Sequence, residues 1–380
     1  MDIGIGMIGG GFMAKSHTNA FSTIPYIFQP DYGIRRVAIG ATTMEHAEAA
    51  AKRYGYEYAY ADYREIIARD DVDVIDVSTS DETHKEIAIA ALKAGKHVLC
   101  EKPMALNTKD AMEMQEIAAQ SGTVAMMGFN YRFLPAIRLA KELIDQGALG
   151  TIYHFHGSYN QDAGANPESP VEKVWYAAGY KGSGVSLGIG SHLIDMARFL
   201  CGEITTVSGL TANHNPVRPS ANGPREVLTE EEMLAVVQFE SGATGELKAS
   251  AISTGRKNQL TFEINGSKGS LVFDLENPSI LKVFLAETAV RSVVGFTEVN
   301  VTQMDRDHPL TKYWWPRGHV LGWEHAHVNE IAHFLDCVAL GTPVAPYGAT
   351  FEDGVRTLQI IDAIKESGET GRRIDSRLIG

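Results

Sequence analysis

The stretch Ile3-Gly4-Ile5-Gly6-Met7-Ile8-Gly9-Gly10-Gly11-Phe12-Met13-Ala14 decides the fold. Ile3–Ile8 is a short apolar run, three consecutive glycines break it, and a helical stretch follows. Gly9-x-Gly11-x-x-Ala14 has the spacing of a pyrophosphate-binding loop. The first glycine makes a tight turn, the second lets backbone approach a pyrophosphate, and a small third residue lets helix and strand pack closely. Val37–Gly40 reads as a second strand before the alanine-rich helix Met44–Tyr54, which completes a β-α-β unit.

Outward from that unit the alternation continues. Val72–Ser78 reads as a buried strand, His84–Ala94 as a helix stopped by Gly95, His97–Cys100 as a short strand, 109–119 as a helix and Thr123–Gly128 as a further strand. Strands separated by helices predict a parallel sheet covered on both faces. Beyond about residue 130 a helix over 135–146 gives way to longer alternating segments, among them Ile152–Gln161, Thr205–Asn213, Met233–Phe239, Thr244–Ser253, Gln259–Ile264 and Ser270–Phe273. They predict a mostly antiparallel sheet, with Asn265-Gly266-Ser267 as a turn and the proline-rich Asn213–Arg225 as a long loop. Val328, Ile331, Phe334, Leu335 and Val338 mark one late helical face, and Val355, Leu358, Ile361 and Ile364 another, opened by Thr350 with Asp353 three residues on. The fold class is α/β: a Rossmann-type parallel-sheet domain over 1–128, then an α/β domain with an open, mostly antiparallel sheet over 129–380.

Composition agrees with two soluble domains. The chain has 380 residues, 44 % hydrophobic and 21 % charged. Lys+Arg 34 against Asp+Glu 47 gives a net charge of −13 with no basic run, which argues against nucleic acid or a membrane as partner. Cys100, Cys201 and Cys337 are far apart and form neither a disulfide framework nor a zinc knuckle. With no basic leader and no long apolar span, the expected location is the cytoplasm.

Two places invite chemistry. Glu101-Lys102-Pro103 follows a parallel strand at its carboxyl end, where ligands of such sheets bind. A desolvated lysine there holds or polarises the oxygen of an alcohol or ketone while the neighbouring carboxylate orients it; the alternative is a solvated surface pair. At the end of the second strand, Gly40-Ala41-Thr42-Thr43 has neither the acid that marks NAD nor an arginine for a 2′-phosphate, so NAD or NADP both fit, with NAD ahead. His325, His327, Glu330 and His333 do not place three ligands on one helical face, so no metal is expected. Cys100 lacks an implied partner base and is not read as a nucleophile.

The glycine loop, Asp81-Glu82-Thr83-His84, Gly95 to Ala105 with its Glu101-Lys102-Pro103 core, Gly128-Phe129-Asn130-Tyr131-Arg132-Phe133, and Gly188-Ile189-Gly190-Ser191-His192-Leu193-Ile194-Asp195 together resemble the glucose-fructose oxidoreductase and inositol dehydrogenase (Gfo/Idh/MocA) family. Thr254 to Asn258, Trp314-Trp315-Pro316 and Gly322-Trp323-Glu324-His325 resemble its branch of sugar dehydrogenases that includes levoglucosan dehydrogenase. The resemblance implies hydride exchange between a nicotinamide and a secondary hydroxyl of a small-molecule sugar or cyclitol. Lys102 would bridge cofactor and substrate oxygen, and His192 would remove the hydroxyl proton, the alternative for His192 being a buried structural histidine.

The same resemblance sets the cofactor side as Gly9, Gly11, Phe12, Met13, Thr42, Ser78, Thr79, His84, Glu101, Lys102, Asn130 and Trp175. It sets the substrate side as Lys102, Arg132, Gln161, Asp162, His192 and Trp323. Packing and capping are the alternatives for several of these, and an inter-element ion pair is the alternative for Arg132. One departure stands out: family members commonly carry an aspartate four residues before the histidine, and here that position is Gly188. Asp162 and Asp195 are candidates to replace it. The family also implies a homodimer or homotetramer. Two rival readings share the fold: a glycosidase that retains NAD, and a cofactor-binding regulator with weak activity.

Overall fold

A computed structural model describes residues 2–178, 184–287, 294–303 and 308–380. The chain divides into two compact units, one of residues 1–134, 312–314 and 322–355, the other of 135–311, 315–321 and 356–380.

The first unit is built on six parallel strands: β1 (Asp2–Ile8), β2 (Gly33–Gly40), β3 (Tyr58–Tyr60), β4 (Val74–Val77), β5 (His97–Glu101) and β6 (Ala125–Gly128). Their order is β3-β2-β1-β4-β5-β6, so the direction of winding reverses between β1 and β4. Ile3, Ile5 and Met7 of β1 are all buried because the sheet is covered on both faces. The connecting helices are α1 (Phe12–Ile27), α2 (Met44–Tyr54), α3 (Tyr63–Ile67), α4 (His84–Lys93) and α5 (Thr108–Ser121). Thr43 Oγ1 accepts from His46 N at 3.2 Å and starts α2; Asn107 Oδ1 accepts from Asp110 N at 2.9 Å and starts α5.

In the second unit, α6 (Pro135–Asp145) precedes a nine-stranded sheet. Its strands are β7 (Ile152–Asn160), β8 (Ile204–Ala212), β11 (Glu232–Phe239), β12 (Thr244–Ser250), β13 (Gln259–Gly266), β14 (Gly269–Asp274), β15 (Ile280–Leu285), β16 (Thr297–Asn300) and β17 (Ile374–Asp375), while β9 (Val217–Arg218) and β10 (Arg225–Glu226) form a separate two-stranded ladder. All neighbours pair antiparallel except β12 with β7. Phe155, Phe262 and Phe273 stack on the buried face with centroids 5.4–6.0 Å apart. Two helices complete this part, α7 (Trp175–Ala178) and α8 (Ser191–Cys201), the second entered through a π-helical turn over Ser186–Gly190.

The loop read over Asn213–Arg225 holds the β9–β10 ladder and is organised by one buried carboxylate. Glu231 accepts from His214 N, Asn215 N and Asn215 Nδ2, and pairs with Arg218 at 2.8 Å.

The last two helices are α9 (Trp323–Leu340) and α10 (Phe351–Thr370). The expected face of α9 is buried at Val328, Ile331, Phe334 and Leu335, in one core with Phe21 and Ile24 of α1. Residues 322–355 therefore return to the Rossmann unit, a long-range pairing that local periodicity does not carry. At the start of α10, Asp353 N donates to Thr350 Oγ1 at 3.1 Å and Thr350 N to Asp353 Oδ2 at 2.9 Å, a reciprocal cap.

Candidate functional site

The glycine loop sits where the winding reverses. Gly9 N donates to Gly40 O and Ser78 N to Ile8 O, each at 2.9 Å, which ties the ends of β1, β2 and β4 together. Gly9 has φ +123°, and a Cβ there would overlap the Ser78 carbonyl, so no other residue fits the turn. A Cβ at Gly11 would meet nothing within 4 Å; this side of the loop is open at the N-terminus of α1. A cavity of about 780 Å³ opens here, lined by Gly9–Met13, Ala41, Thr42, Arg53, Tyr63 and Ser78–Ser80 among others. Free N–H groups and the positive end of a helix facing an open cavity of that size suit the diphosphate of a dinucleotide.

Gly9, Gly11, Phe12, Met13, Thr42, Ser78 and Thr79 all line this cavity. Thr43 is used as the α2 cap. Arg35 and Arg36 lie inside β2; Arg35 pairs with Glu57 and Arg36 Nη1 donates to Ser22 Oγ. His84 is fully buried, its ring nitrogens 2.8 Å from Pro103 O and 3.2 Å from Thr79 O, so it ties the loop after β4 to the loop after β5.

Glu101 is not a solvated partner of Lys102 but a buried group at the end of β5. Its Oε2 accepts from Lys102 N at 3.1 Å, and its Oε1 lies 3.1 Å from His17 Nε2. His17 Nδ1 is in turn 2.8 Å from Asp76 Oδ2, and Ser78 Oγ donates to Asp76 Oδ1 at 2.5 Å. With a carboxylate oxygen at each ring nitrogen, His17 is placed to hold both ring protons as an imidazolium. Burial opposes that charge, but Asp76 and then Glu101 outweigh it and hold His17 well above its ordinary range. Burial likewise pushes Glu101 up, and the His17 hydrogen bond and charge reverse this, bringing it to about 2.

The sequence reading missed His17 and Asp76. The available signal was Ser16-His17-Thr18, a polar triplet on a buried face of α1.

His17, Glu101 and His327 each offer one ligand atom, all within 4.8 Å of one another, which makes them the one donor set of this kind among the described residues. Here His17 Nε2 faces Glu101, and His327 Nε2 lies 3.2 Å from Asn130 Nδ2. Burial, together with the His17 charge, lowers His327 to about 3, so it is a neutral acceptor for the Asn130 amide. Asn130 is thus held from inside, and Arg132 is turned to Asp353 (3.4 Å) and Gly348 O (3.5 Å), buried, in the ion-pair arrangement. Trp323 stacks on Phe12 (centroids 5.4 Å, 21°) and meets the His327 ring edge-on (4.4 Å, 68°). Cys100 is buried, and burial pushes its thiol up, away from nucleophilic use.

In the second unit, α8 presents His192, 8 % exposed, with its ring 6.1 Å from that of Tyr159 on β7. Tyr159 OH donates to Asn258 Oδ1 (2.8 Å), Gln161 Nε2 donates to the same oxygen (2.8 Å), and Trp175 Nε1 donates to Gln161 Oε1 (3.1 Å). Gln161 is therefore central to a hydrogen-bonded chain that runs from Trp175 to the neighbour of His192. Asp162 is held by Lys257 Nζ (2.6 Å) and Gly255 N (3.2 Å), while Asp195 is buried within α8. At Gly188 a Cβ would stand 2.5 Å from Trp175 Cη2, so the indole occupies the space a side chain there would need.

Residues 3–129 match the oxidoreductase family with an NAD-binding Rossmann fold, and 137–272 match the GFO/IDH/MocA C-terminal domain. The chain belongs to the Gfo/Idh/MocA family. It is an NAD-dependent oxidoreductase of that family. Levoglucosan dehydrogenase of Pseudarthrobacter phenanthrenivorans is 36 % identical, with 98 % of each chain covered, and inositol 2-dehydrogenase of Rhizobium meliloti is 26 % identical over 98 % of this chain and 99 % of its own. Among solved structures, levoglucosan dehydrogenase in complex with NADH and levoglucosan superposes with a TM-score of 0.93 at 35 % identity, covering 99 % of each chain. An NAD-binding oxidoreductase from Klebsiella pneumoniae reaches 0.92 at 29 % identity over 99 % of each. The α/β architecture of this Gfo/Idh/MocA protein, a Rossmann sheet plus a mostly antiparallel one, is that of its relatives.

Proposed function

We propose that this Gfo/Idh/MocA protein is a dehydrogenase acting on a secondary hydroxyl of a sugar or cyclic polyol. The observation that carries the reading is the setting of Lys102. It follows the last residue of β5, at the carboxyl edge of the parallel sheet, and its backbone N–H is fixed by a buried carboxylate that His17 and Asp76 hold in place. Levoglucosan and inositol dehydrogenases among the relatives support a ring polyol as substrate.

Bound NAD supplies the hydride acceptor. The Lys102 ammonium holds the carbinol oxygen and stabilises the charge that grows on it, and His192 accepts the hydroxyl proton. Gly9, Gly11 and the start of α1 bind the diphosphate; Phe12, Met13, Thr42, Ser78 and Thr79 line the groove, and His84, Glu101 and Asn130 brace it from behind. Gln161, Asp162 and Trp323 are the further side chains assigned to the substrate, whereas Arg132 is taken up by Asp353.

We assign cofactor binding to residues 1–128, joined in the same compact unit by 322–355, and substrate binding and self-association to the remainder of 129–380. A homodimer or homotetramer through the open sheet is supported by exposed Leu210 and Val236 on adjacent strands. Among the described residues no helix is long and apolar enough to cross a membrane.

The test is a panel of anhydrosugars, sugars and cyclitols incubated separately with NAD and NADP. Steady formation of NADH supports the dehydrogenase. Sugar released from a glycoside without net NADH favours the NAD-retaining glycosidase, and cofactor binding with no turnover of any member favours the regulator.

A further inference from the structure

Strand order fixes where the far end of a dinucleotide lies. β1, β2 and β3 are consecutive neighbours, and two backbone hydrogen bonds join their carboxyl ends: Gly9 N donates to Gly40 O at 2.9 Å, and Ala41 N donates to Tyr60 O at 3.2 Å. The end of β2 is where a domain of this kind holds the adenosine ribose. With the diphosphate on Gly9–Gly11, the ribose therefore falls at Gly40–Thr42, and the base falls one strand further out, at Ala61 and Tyr63 after β3. Both residues line the same cavity, joined there by Glu86 and Ile87 of α4.

Glu86 is the one carboxylate lining that cavity among the described residues, and its local partners are spent elsewhere. Thr83-x-x-Glu86 has the spacing of a capping box, yet Thr83 Oγ1 is turned to Thr79 Oγ1 (2.7 Å) and Ser80 O (2.9 Å) and caps nothing in α4. Lys85 Nζ is taken by Asp110 at 2.5 Å and Glu113 at 2.7 Å, and Arg64 Nη1 by Asp62 at 3.2 Å. Among the described residues no hydrogen bond or ion pair holds the Glu86 carboxylate, which is exposed. Its charge still reaches the Tyr63 hydroxyl, which burial and then Glu86 hold above its ordinary range. An acceptor-only group thus stands at the base end of the cavity, beside the apolar side chains of Ala61 and Ile87.

Adenine carries an exocyclic amine, a donor with two hydrogens, and a carboxylate reads such an amine when it accepts from cytosine N4 in a nucleic-acid groove. We infer that Glu86 is the specificity-determining residue for the base of the cofactor, its carboxylate accepting a hydrogen bond from the exocyclic amine of adenine. The inference concerns the adenosine end alone and holds whichever polyol is oxidised.

The experiment measures Kd by calorimetry for NAD and for the dinucleotide that carries unsubstituted purine in place of adenine. Wild type, Glu86→Ala and Glu86→Gln are compared, with circular dichroism to verify folding. The wild type is expected to bind NAD roughly tenfold more tightly than the purine analogue, the scale of one hydrogen bond to a charged group at an exposed site. Glu86→Ala weakens NAD by about that factor and leaves the analogue within about twofold, so that the ratio falls close to one. Glu86→Gln keeps part of the preference, because its amide oxygen still accepts from the amine. Equal affinities in the wild type overturn the inference. So does an equal loss on both dinucleotides in folded Glu86→Ala, which is what damage to α4 alone would give. A protein that shows the expected ratios yet reduces NAD with no polyol of the panel sinks the dehydrogenase reading and leaves this inference standing.

Discussion

His17 Nε2 lies 3.1 Å from Glu101 Oε1, which joins the first helix to the end of the fifth strand through a buried charge. Glu101 uses its other oxygen on the Lys102 backbone, so His17 is a positioning residue for Lys102 at one remove. Replacing it with Asn keeps one hydrogen bond and removes the charge. His17→Asn is expected to lower kcat by roughly 10- to 100-fold, the usual scale for losing such a supporting partner, with little change in NAD affinity. The alkaline limb of its kcat profile should also shift, which a loss of fold alone would not produce.

Stability should follow these histidines in opposite directions. Burial disfavours the His327 charge, so the unfolded chain takes up its proton first; stability falls as pH drops from about 6.5 toward about 3. His17 is charged more readily in the folded protein, so its contribution is whole below its ordinary value and fades as pH rises through the raised folded value. Urea midpoints across pH should show a shallower acid loss in His327→Asn, and a gap between wild type and His17→Asn that narrows toward high pH.

Gly9→Ala tests the loop. A Cβ at φ +123° would collide with the Ser78 carbonyl, and the shift needed to relieve it spoils the diphosphate cradle. NAD Kd, read by fluorescence titration, should rise at least about tenfold, as expected for about 1.4 kcal/mol of lost binding. An unchanged Kd would place the cofactor elsewhere.

Arg218 and Glu231 have side chains with 0 % exposure, and Glu231 also anchors Tyr176. Glu231→Gln leaves the guanidinium buried without a counter-charge and is expected to cost about 3–5 kcal/mol in urea unfolding. A loss under about 1 kcal/mol would show that the pair contributes little.

What the sequence made legible follows from local chemistry. Gly9-x-Gly11-x-x-Ala14 needs only its neighbours to declare a strand-turn-helix, and the Thr350–Asp353 cap is likewise local. The return of α9 to the Rossmann unit was hidden because an amphipathic helix states that one face is buried, not against what. His17 escaped notice for a similar reason: its partners, Asp76 and Glu101, lie on two other strands. Glu101 and Arg132 were named from their place in motifs, but burial and partners decide that one braces Lys102 and the other pairs with Asp353. Gly188 was visible as a departure, whereas the indole that occupies its space comes from thirteen residues earlier in the chain and no spacing rule links them.

The most direct measurement is the initial rate of NADH formation from levoglucosan by wild type and Lys102→Ala, with NAD Kd measured on both. The account predicts turnover by the wild type, a fall of roughly 10²- to 10⁴-fold in the variant, and an NAD Kd that is nearly unchanged. Equal rates from two folded proteins that bind NAD equally well would contradict it.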